Sequence, residues 1–244
     1  MPPERRMKTF KIHLIRNGLA EGAAEGKYIG HTDVALTTQG KKQLRQMKER
    51  FEYPEVQAVL SAPLERCLET ARILYPDRSP LVFDTLIEYD FGEFEGKTAE
   101  QLKDDPAFKE WLIGGPEAGA PHGETNAAFQ KRVLQSFYEI VNGLIRSEAD
   151  SVAVVTHGGV IMTLMQAFAL PEAPMHEWMA PHGCGFTLNV IPSVWGNVAK
   201  AEYYAEVPLR PMTHEDDDDH VNWDEPIDPE EFKGFYDPEE ETKA

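Results

Sequence analysis

Short apolar runs alternate with amphipathic stretches along most of this chain. The runs "TFKIHLI", "VQAVLS" and "SVAVVTH" have the length and composition of buried strands. The stretches "TTQGKKQLRQMKERF", "PLERCLETARILY" and "ETNAAFQKRVLQSFYEIVNGLIRSE" place apolar residues at helical spacing. This alternation predicts an α/β fold, in which helices cover both faces of a mostly parallel sheet.

Shorter segments complete the predicted order of elements. "PLVFD" is a candidate short strand, and "KTAEQLKDD" is a short helix in which Thr98 and Gln101 have capping-box spacing. "GVIMTLMQAFAL" is a helix that ends before Pro171. Near the end of the body, "GFTLNVI" and "VAKAEYYAEV" predict a closing hairpin around "PSVWGN".

The charge is distributed unevenly, and this suggests two regions. The net charge is −18, but the residues from Pro211 onward hold 14 acidic and 2 basic side chains, which is −12. We therefore predict one domain over residues 1–207 and an acidic C-terminal tail over 208–244. The tail has three readings: a solubilising segment, a segment that anchors its aromatic residues on the body, or a metal or partner site built on "HEDDDDH".

Composition also narrows the classes of function. An acidic body disfavours nucleic-acid binding, because phosphate backbones attract the opposite charge. No apolar run reaches the about 18 residues of a membrane span. The N-terminal segment lacks the apolar stretch of a secretory signal, and there are two cysteines, Cys67 and Cys184. We expect a cytoplasmic protein without a disulfide framework; the oligomeric state is not predicted.

Four segments carry candidate chemistry. Arg16, Asn17 and Gly18 follow the first strand, and His157 and Gly158 follow the strand "SVAVVT". "SAPLERCLETA" places Arg66 at a strand-to-helix turn, and "LIEYDFGEFEG" begins with Glu88. In open parallel sheets, ligands bind beyond the carboxyl ends of strands. The two strand ends at Arg16 and His157 should therefore open onto one side of the molecule.

These segments, in this order, resemble the histidine phosphatase superfamily. The family pattern is a strand ending in Arg-His-Gly, then "GHTDVALTTQG", then Ser61 to Ala71, then Leu86 to Gly96, then a strand ending in His-Gly-Gly. The resemblance spans about Thr9 to Val207. Within the family, "YIGHTDVALT", "IEYDFGEFEG" and "GETNAAFQKRV" look most like the α-ribazole phosphatase branch. It implies a three-layer α/β/α sandwich of the phosphoglycerate mutase type.

The resemblance also implies roles for individual residues. Arg16, Arg66 and His157 would bind the phosphate of a small phosphorylated metabolite, with backbone N–H groups at Gly18 and Gly158 approaching it closely. Glu88 would protonate the leaving group, and Glu93 is the second candidate for that role. A protonated His157 would add positive charge. No metal or cofactor is implied.

Other polar residues near these motifs have simpler readings. His13, His31 and His122 are expected to have structural roles. Cys67, inside the helix after Ser61, is expected to be a small core residue and not a nucleophile.

Asn17 stands where the family has its nucleophilic histidine. A carboxamide nitrogen is not nucleophilic, because its lone pair is delocalised into the carbonyl group, so Asn17 cannot form a phosphohistidine. It can, however, donate a hydrogen bond much as a ring N–H does. Asn17 is therefore expected to keep the pocket and remove the chemistry.

Two explanations of Asn17 remain open. The chain is either an inactivated form of a working phosphomonoester hydrolase or a natural pseudophosphatase that binds a phosphometabolite or a protein partner. Arg16, Arg66, Glu88 and His157 are all present, which favours the first. Leu19 and Ala20, which depart from the family pattern after Gly18, favour the second. A mutase is disfavoured, because mutases of this family carry a longer insertion between the acid motif and the second histidine.

Overall fold

The fold is built on one seven-stranded sheet. The computed structural model describes residues 8–209. The strands run in the spatial order β3-β2-β4-β1-β6-β7-β5. In chain order they are β1 (Phe10–Arg16), β2 (Ala58–Ser61), β3 (Leu81–Val82), β4 (Ser151–Thr156), β5 (Ala169–Leu170), β6 (Gly185–Val190) and β7 (Ala201–Val207).

The sheet is mostly parallel, as predicted. Strands β3, β2, β4 and β1 pair in parallel, and so do β5 and β7. Strand β6 is antiparallel to both β1 and β7. Consequently, the amino end of β6 lies at the same edge of the sheet as the carboxyl ends of β1 and β4. Gly185, at the start of β6, is opposite Ile15, near the end of β1.

Seven helices accompany the sheet within the described residues. They are α1 (Thr38–Arg50), α2 (Glu65–Leu74), α3 (Ala99–Leu102), α4 (Pro106–Ile113), α5 (Asn126–Arg146), α6 (Gly158–Phe168) and α7 (Pro192–Val198). Short 3-10 helices span Ala23–Glu25, Asp84–Leu86, Gly92–Phe94 and Met175–Trp178. Among these residues, no helix combines the length and apolar character needed to cross a bilayer.

Both faces of the central strands are buried, which explains the layered architecture. On β1, Ile12 and Leu14 point to one face, and His13 and Ile15 point to the other. All four are buried. A strand buried on both sides needs a helical layer over each face. This is the sandwich that the continuous apolar runs predict.

Local sequence explains where several helices begin. The hydroxyl of Thr37 accepts a hydrogen bond from the N–H of Gly40 and caps α1. Thr98 and Gln101 form the predicted reciprocal capping box at α3. These contacts fix the helix starts through residues that are close in sequence.

Two predicted elements differ in the structure. The helix predicted over "GVIMTLMQAFAL" ends at Phe168, because Ala169 and Leu170 pair with β7 as strand β5. The pattern of "PSVWGN" predicts the turn of a hairpin, but the segment forms the helix α7 between β6 and β7. Pro192 takes the first helical position, where its missing N–H costs nothing. Trp195 is buried against Phe137 and Phe168. This tertiary packing outweighs the turn propensity of the segment.

The predicted acidic tail lies almost wholly outside the described residues. Pro208 and Leu209 continue from β7, and Leu209 forms an isolated bridge with Glu52, just beyond α1. The boundary between domain and tail stays a prediction, as does any role for "HEDDDDH".

Candidate active site

The predicted site residues converge at one edge of the sheet. Arg16 ends β1 and pairs with Thr156, the last residue of β4, so that Asn17 and His157 follow neighbouring strands. Arg66 lies in the first turn of α2, and Glu88 follows the 3-10 helix after β3. Asn17, Arg66, Glu88 and His157 are all buried, with exposed fractions of 8% or less. The structure thus brings these residues together at one edge, and their chemical roles stay predictions.

Asn17 is held through both its backbone and its side chain. Its N–H donates to the carbonyl of Thr156 at 2.8 Å. Its amide Nδ2 donates to the carbonyl of Gly18 at 2.8 Å, and its Oδ1 lies 3.2 Å from Nδ1 of His157. Both ends of the carboxamide thus have a polar neighbour, and its oxygen receives a hydrogen bond when the ring proton of His157 is on Nδ1.

The two arginines are built into the site differently. Nη1 of Arg16 donates to the carbonyl of Ala180 at 2.7 Å. The negative charge of Glu88 favours the charged form of the Arg16 guanidinium. Arg66 donates from Nη1 to the carbonyl of Thr32 at 2.8 Å and from Nη2 to the carbonyl of Gly30 at 2.6 Å. Since a guanidinium has five N–H groups, Arg66 keeps only part of its fork for an anion.

His157 is a neutral imidazole in this environment. Burial lowers its pKa well below the usual value, and the Arg66 guanidinium lowers it further. Its Nδ1 lies 3.3 Å from Nε of Arg66 and 3.2 Å from Oδ1 of Asn17. A single ring nitrogen serves only one of these partners at a time. The predicted role of a protonated His157 in adding positive charge stays a prediction.

The carboxylate of Glu88 is fixed by two backbone donors. Oε1 accepts from the N–H of Tyr89 at 2.8 Å, and Oε2 accepts from the N–H of Gly159 at 2.9 Å. Gly159 lies in the first turn of α6, whose positive end favours an anion. Glu93, by contrast, is exposed at its side chain and lies 3.3 Å from Nε2 of the exposed His122. Glu88 is thus buried among the predicted site residues whereas Glu93 lies at the surface, and the choice of Glu88 as the acid stays a prediction.

The glycines have different parts in the arrangement. The N–H of Gly18 donates to the hydroxyl of Thr70 at 2.9 Å, and the predicted approach of this N–H to a phosphate stays a prediction. A Cβ at Gly18 would lie 2.7 Å from Cδ1 of Leu44, so close packing explains this glycine. Gly158 begins α6, where the first N–H groups have no partner within the helix. Its predicted role as a backbone donor remains compatible with the structure.

With this geometry in view, known proteins can be compared. A model of the histidine phosphatase superfamily (branch 1) matches residues 12–193, which is well over half of the chain. The chain belongs to the histidine phosphatase superfamily. An adenosylcobalamin/alpha-ribazole phosphatase of Escherichia coli K12 is 26% identical over 186 residues, covering 74% of this chain and 90% of the relative. A glucosyl-3-phosphoglycerate phosphatase of Mycolicibacterium vanbaalenii is 30% identical over 189 residues, covering 73% and 82%.

Solved structures support the same fold. The crystal structure of a phosphoglycerate mutase from Thermus thermophilus matches with a TM-score of 0.59 and 29% identity, covering 82% of this chain and 99% of that one. A putative alpha-ribazole-5'-P phosphatase from Escherichia coli matches with a TM-score of 0.70, covering 84% and 99%. Its 23% identity supports the fold alone. Relatives of this chain thus include phosphatases and mutases.

Sequence reasoning missed His182. Its Nδ1 is 2.8 Å from the carbonyl of Asn17, and burial lowers its pKa to about 3. The residue precedes β6, and the antiparallel direction of that strand brings it to the site edge. The signal was the "PHG" just before a strand, but it is informative only once the direction of the strand is known.

A second feature that sequence reasoning missed holds the backbone of Ile87 and Glu88. Arg132 donates to the carboxylate of Glu124 at 2.6 and 3.0 Å and to the carbonyls of Ile87 and Glu88 at 2.6 and 2.7 Å. The motif "GETNAAFQKRV" contains both residues of this pair. Its spacing over the start of α5 is a signal that could have identified the contact.

The remaining histidines and Cys67 agree with their structural readings. His13 is buried between Thr187 and Ser151, and Nε2 of His31 donates to the backbone carbonyl of Glu88. Cys67 is fully buried, and burial raises the pKa of its thiol. Its Sγ lies 3.5 Å from the ring of His157, a contact that the sequence did not predict. Within residues 8–209, no group of three or more His, Cys, Asp or Glu side chains is arranged to hold a metal.

Proposed function

We propose that this chain is a phosphomonoester-binding member of the histidine phosphatase superfamily whose hydrolytic step is blocked by Asn17. The observation that carries the proposal is the packing of the Asn17 carboxamide against His157, beside Arg16, Arg66 and Glu88. The residues that we propose to bind the phosphate and to protonate the leaving group are all retained. The group that would attack phosphorus is a carboxamide.

The ligand we propose is a small phosphorylated metabolite. Arg16 and the remaining part of the Arg66 fork supply the positive charge that a phosphate dianion requires. His157 and the N-terminus of α6 supply neutral donors. The acidic body disfavours a nucleic acid, and we propose no cofactor. A cytoplasmic location is part of the proposal, supported by Cys67 and Cys184, which are both free thiols.

The mechanism we propose applies to the form with histidine at position 17. A ring nitrogen attacks phosphorus, a nitrogen–phosphorus bond forms, and the ester phosphorus–oxygen bond breaks. The leaving alkoxide takes a proton from Glu88. Water then attacks the phosphohistidine, Glu88 accepts its proton, and the nitrogen–phosphorus bond breaks to release inorganic phosphate. Proton transfer of this kind contributes roughly 10²–10⁴ in rate.

The alternative is a natural pseudophosphatase that binds a phosphometabolite or a protein partner. It is favoured by the polar contacts of the Asn17 carboxamide with Gly18 and His157, because the residue fits its surroundings as a permanent component. In that reading the same pocket recognises a ligand and never turns it over.

A paired assay tests the proposal. Phosphate release is measured from a general phosphomonoester and from α-ribazole phosphate, for the chain as it stands and for Asn17→His. Turnover should rise by at least about 10³-fold on restoring the histidine, the scale of losing a nucleophile from a cooperating set. Asn189→His is the matched control, because Asn189 pairs with Lys11 at the opposite end of the sheet.

The outcomes separate the two readings. Turnover by Asn17→His alone supports the hydrolase, and the two substrates then test the α-ribazole branch. If neither form turns over but both bind phosphate, the pseudophosphatase is the better description. If Asn189→His gains the same activity as Asn17→His, position 17 is not the site of chemistry and the proposal is wrong.

A further inference from the structure

The loop from Ile29 to Thr32 lies between a carboxylate and a guanidinium. On one side lies Glu95, the residue that ends the 3-10 helix Gly92–Phe94. On the other lies Arg66 of α2. The loop itself has no regular secondary structure. Its position therefore depends on these side-chain contacts and not on a strand or helix ladder.

Glu95 binds the donors of the loop. Its Oε1 accepts from the N–H of Gly30 at 2.9 Å and from the N–H of His31 at 2.8 Å. Its Oε2 accepts from the hydroxyl of Thr32 at 2.7 Å. A carboxylate with three such donors makes charge-assisted hydrogen bonds, which are about twice as strong as neutral ones.

Arg66 binds the acceptors of the same loop. Its Nη2 donates to the carbonyl of Gly30 and its Nη1 to the carbonyl of Thr32. Gly30 and Thr32 therefore each give a hydrogen to Glu95 and an oxygen to Arg66. The peptide group between Gly30 and His31 gives its N–H to Glu95 and its carbonyl to Arg66, so the position of one partner constrains the other.

The loop has little freedom to adjust. A Cβ at Gly30 would lie 1.9 Å from the carbonyl oxygen of Tyr89 and 2.5 Å from Oε1 of Glu95. The ring of His31 also contacts the carbonyl of Glu88 at 3.0 Å. Loss of the Glu95 contacts would therefore release the loop, and with it two of the acceptors that direct the guanidinium of Arg66.

We infer that Glu95 is a positioning residue for the phosphate site: it fixes the direction of the Arg66 guanidinium through the Ile29–Thr32 loop. The inference rests on the proposed function for its effect on a ligand. Glu95 itself does not contact the phosphate. Its carboxylate is occupied by the loop, and a second anion facing the ligand would oppose binding.

The first experiment measures inorganic phosphate binding to the full chain by calorimetry. Glu95→Ala should weaken binding about tenfold, a coupling within the usual range for residues in one network. In an Arg66→Ala background, the same change should alter the dissociation constant by less than about twofold. Glu95→Gln retains an acceptor oxygen for the two N–H groups and an NH₂ group for the Thr32 hydroxyl, so it should restore most of the affinity.

Glu69→Ala is the matched control. Glu69 also holds a loop, because it accepts from the N–H of Leu36 at 2.8 Å and pairs with Lys41. No hydrogen bond or ion pair joins Glu69 to Arg66 within the part of the chain described. Its loss should lower the melting temperature but leave the phosphate dissociation constant within about twofold.

A second readout needs no ligand. The Nε–H of Arg66, which faces His157 at 3.3 Å, gives a proton–nitrogen signal assignable by its loss in Arg66→Lys. The signal should shift or broaden in Glu95→Ala and stay in place in Glu69→Ala. If it shifts but the parent chain binds no phosphate, the positioning role stands and the proposed function fails. An unmoved signal, or equal weakening by Glu95→Ala with and without Arg66, overturns the inference.

Discussion

Replacement of Gly159 by alanine probes the contact that fixes the acid. A Cβ at position 159 would lie 2.5 Å from Oε1 of Glu88 and 3.1 Å from its carboxyl carbon. The carboxylate cannot stay where it is, because carbon and oxygen atoms do not approach to that distance. To move away, it must give up its bond from the N–H of Gly159, its bond from the N–H of Tyr89, or both.

The expected magnitude follows from these bonds. A hydrogen bond to a charged group contributes about 1.5–3 kcal/mol. Alanine in place of glycine in a helix gains about 0.5–1 kcal/mol. If one bond of Glu88 is lost, Gly159→Ala should lower the free energy of unfolding by about 1–2 kcal/mol, and by more if both are lost.

Equilibrium denaturation of four proteins measures this effect: the parent, Gly159→Ala, Glu88→Ala and the double variant. Without the Glu88 carboxylate the clash is absent, and Gly159→Ala should then stabilise by about 0.5–1 kcal/mol. The control is Gly143→Ala, an exposed position in α5 where an added Cβ meets nothing within 4 Å. It should stabilise by a similar amount in either background.

Two results would refute the reasoning. One is a Gly159→Ala protein as stable as Gly143→Ala. The other is an equal cost of Gly159→Ala with and without Glu88. Either result would mean that the carboxylate does not occupy the space in front of Gly159.

Three further predictions concern other parts of the molecule. Burial lowers the pKa of His13 to about 4. As the pH falls, His13 is therefore protonated in the unfolded chain before it is protonated in the folded one. Its contribution to the free energy of unfolding is complete above about pH 6.5 and is lost as the pH drops towards 4. By pH 5 the loss is about 2 kcal/mol, and urea denaturation of His13→Gln should show a weaker pH dependence; an unchanged slope would contradict this. Arg132→Ala breaks a partly buried ion pair with Glu124 and should lower the free energy of unfolding by about 2–4 kcal/mol, with Arg132→Lys intermediate. A change under about 0.5 kcal/mol would argue against a role of Arg132 in holding the segment that carries Glu88. Burial raises the pKa of the Cys184 thiol to about 12, and that of Cys67 is raised as well. Neither should react with a thiol reagent within minutes at pH 8 unless urea is added, and rapid labelling of Cys67 would show that its burial is wrong.

The sequence predicts the features that depend on near neighbours. Thr37 begins α1 and the Thr98–Gln101 box begins α3, because a cap needs only residues a few positions away. The burial of β1 and β4 follows from continuous apolar runs. The meeting of Arg16 and His157 follows from the rule that parallel strands end at one edge.

Features that depend on distant residues were not predicted. The helix α7 forms because Trp195 packs against residues far away in the chain, and no local pattern contains that information. The place of His182 requires the antiparallel direction of β6. The lowered pKa of His157 follows from its burial beside Arg66, which motif spacing cannot specify. Motif spacing thus named residues that the structure brings together, but not their supporting contacts.

The backbone around Asn17 is fixed by contacts that do not involve its side chain. Its N–H bonds to Thr156, its carbonyl to His182, and the next N–H, of Gly18, to Thr70. The backbone at position 17 therefore places the Cβ atom at the same point whichever side chain the gene encodes. Asparagine and histidine codons differ by a single base. Under the proposed function, reactivity is gained or lost in one genetic step, while the backbone that holds position 17 stays the same.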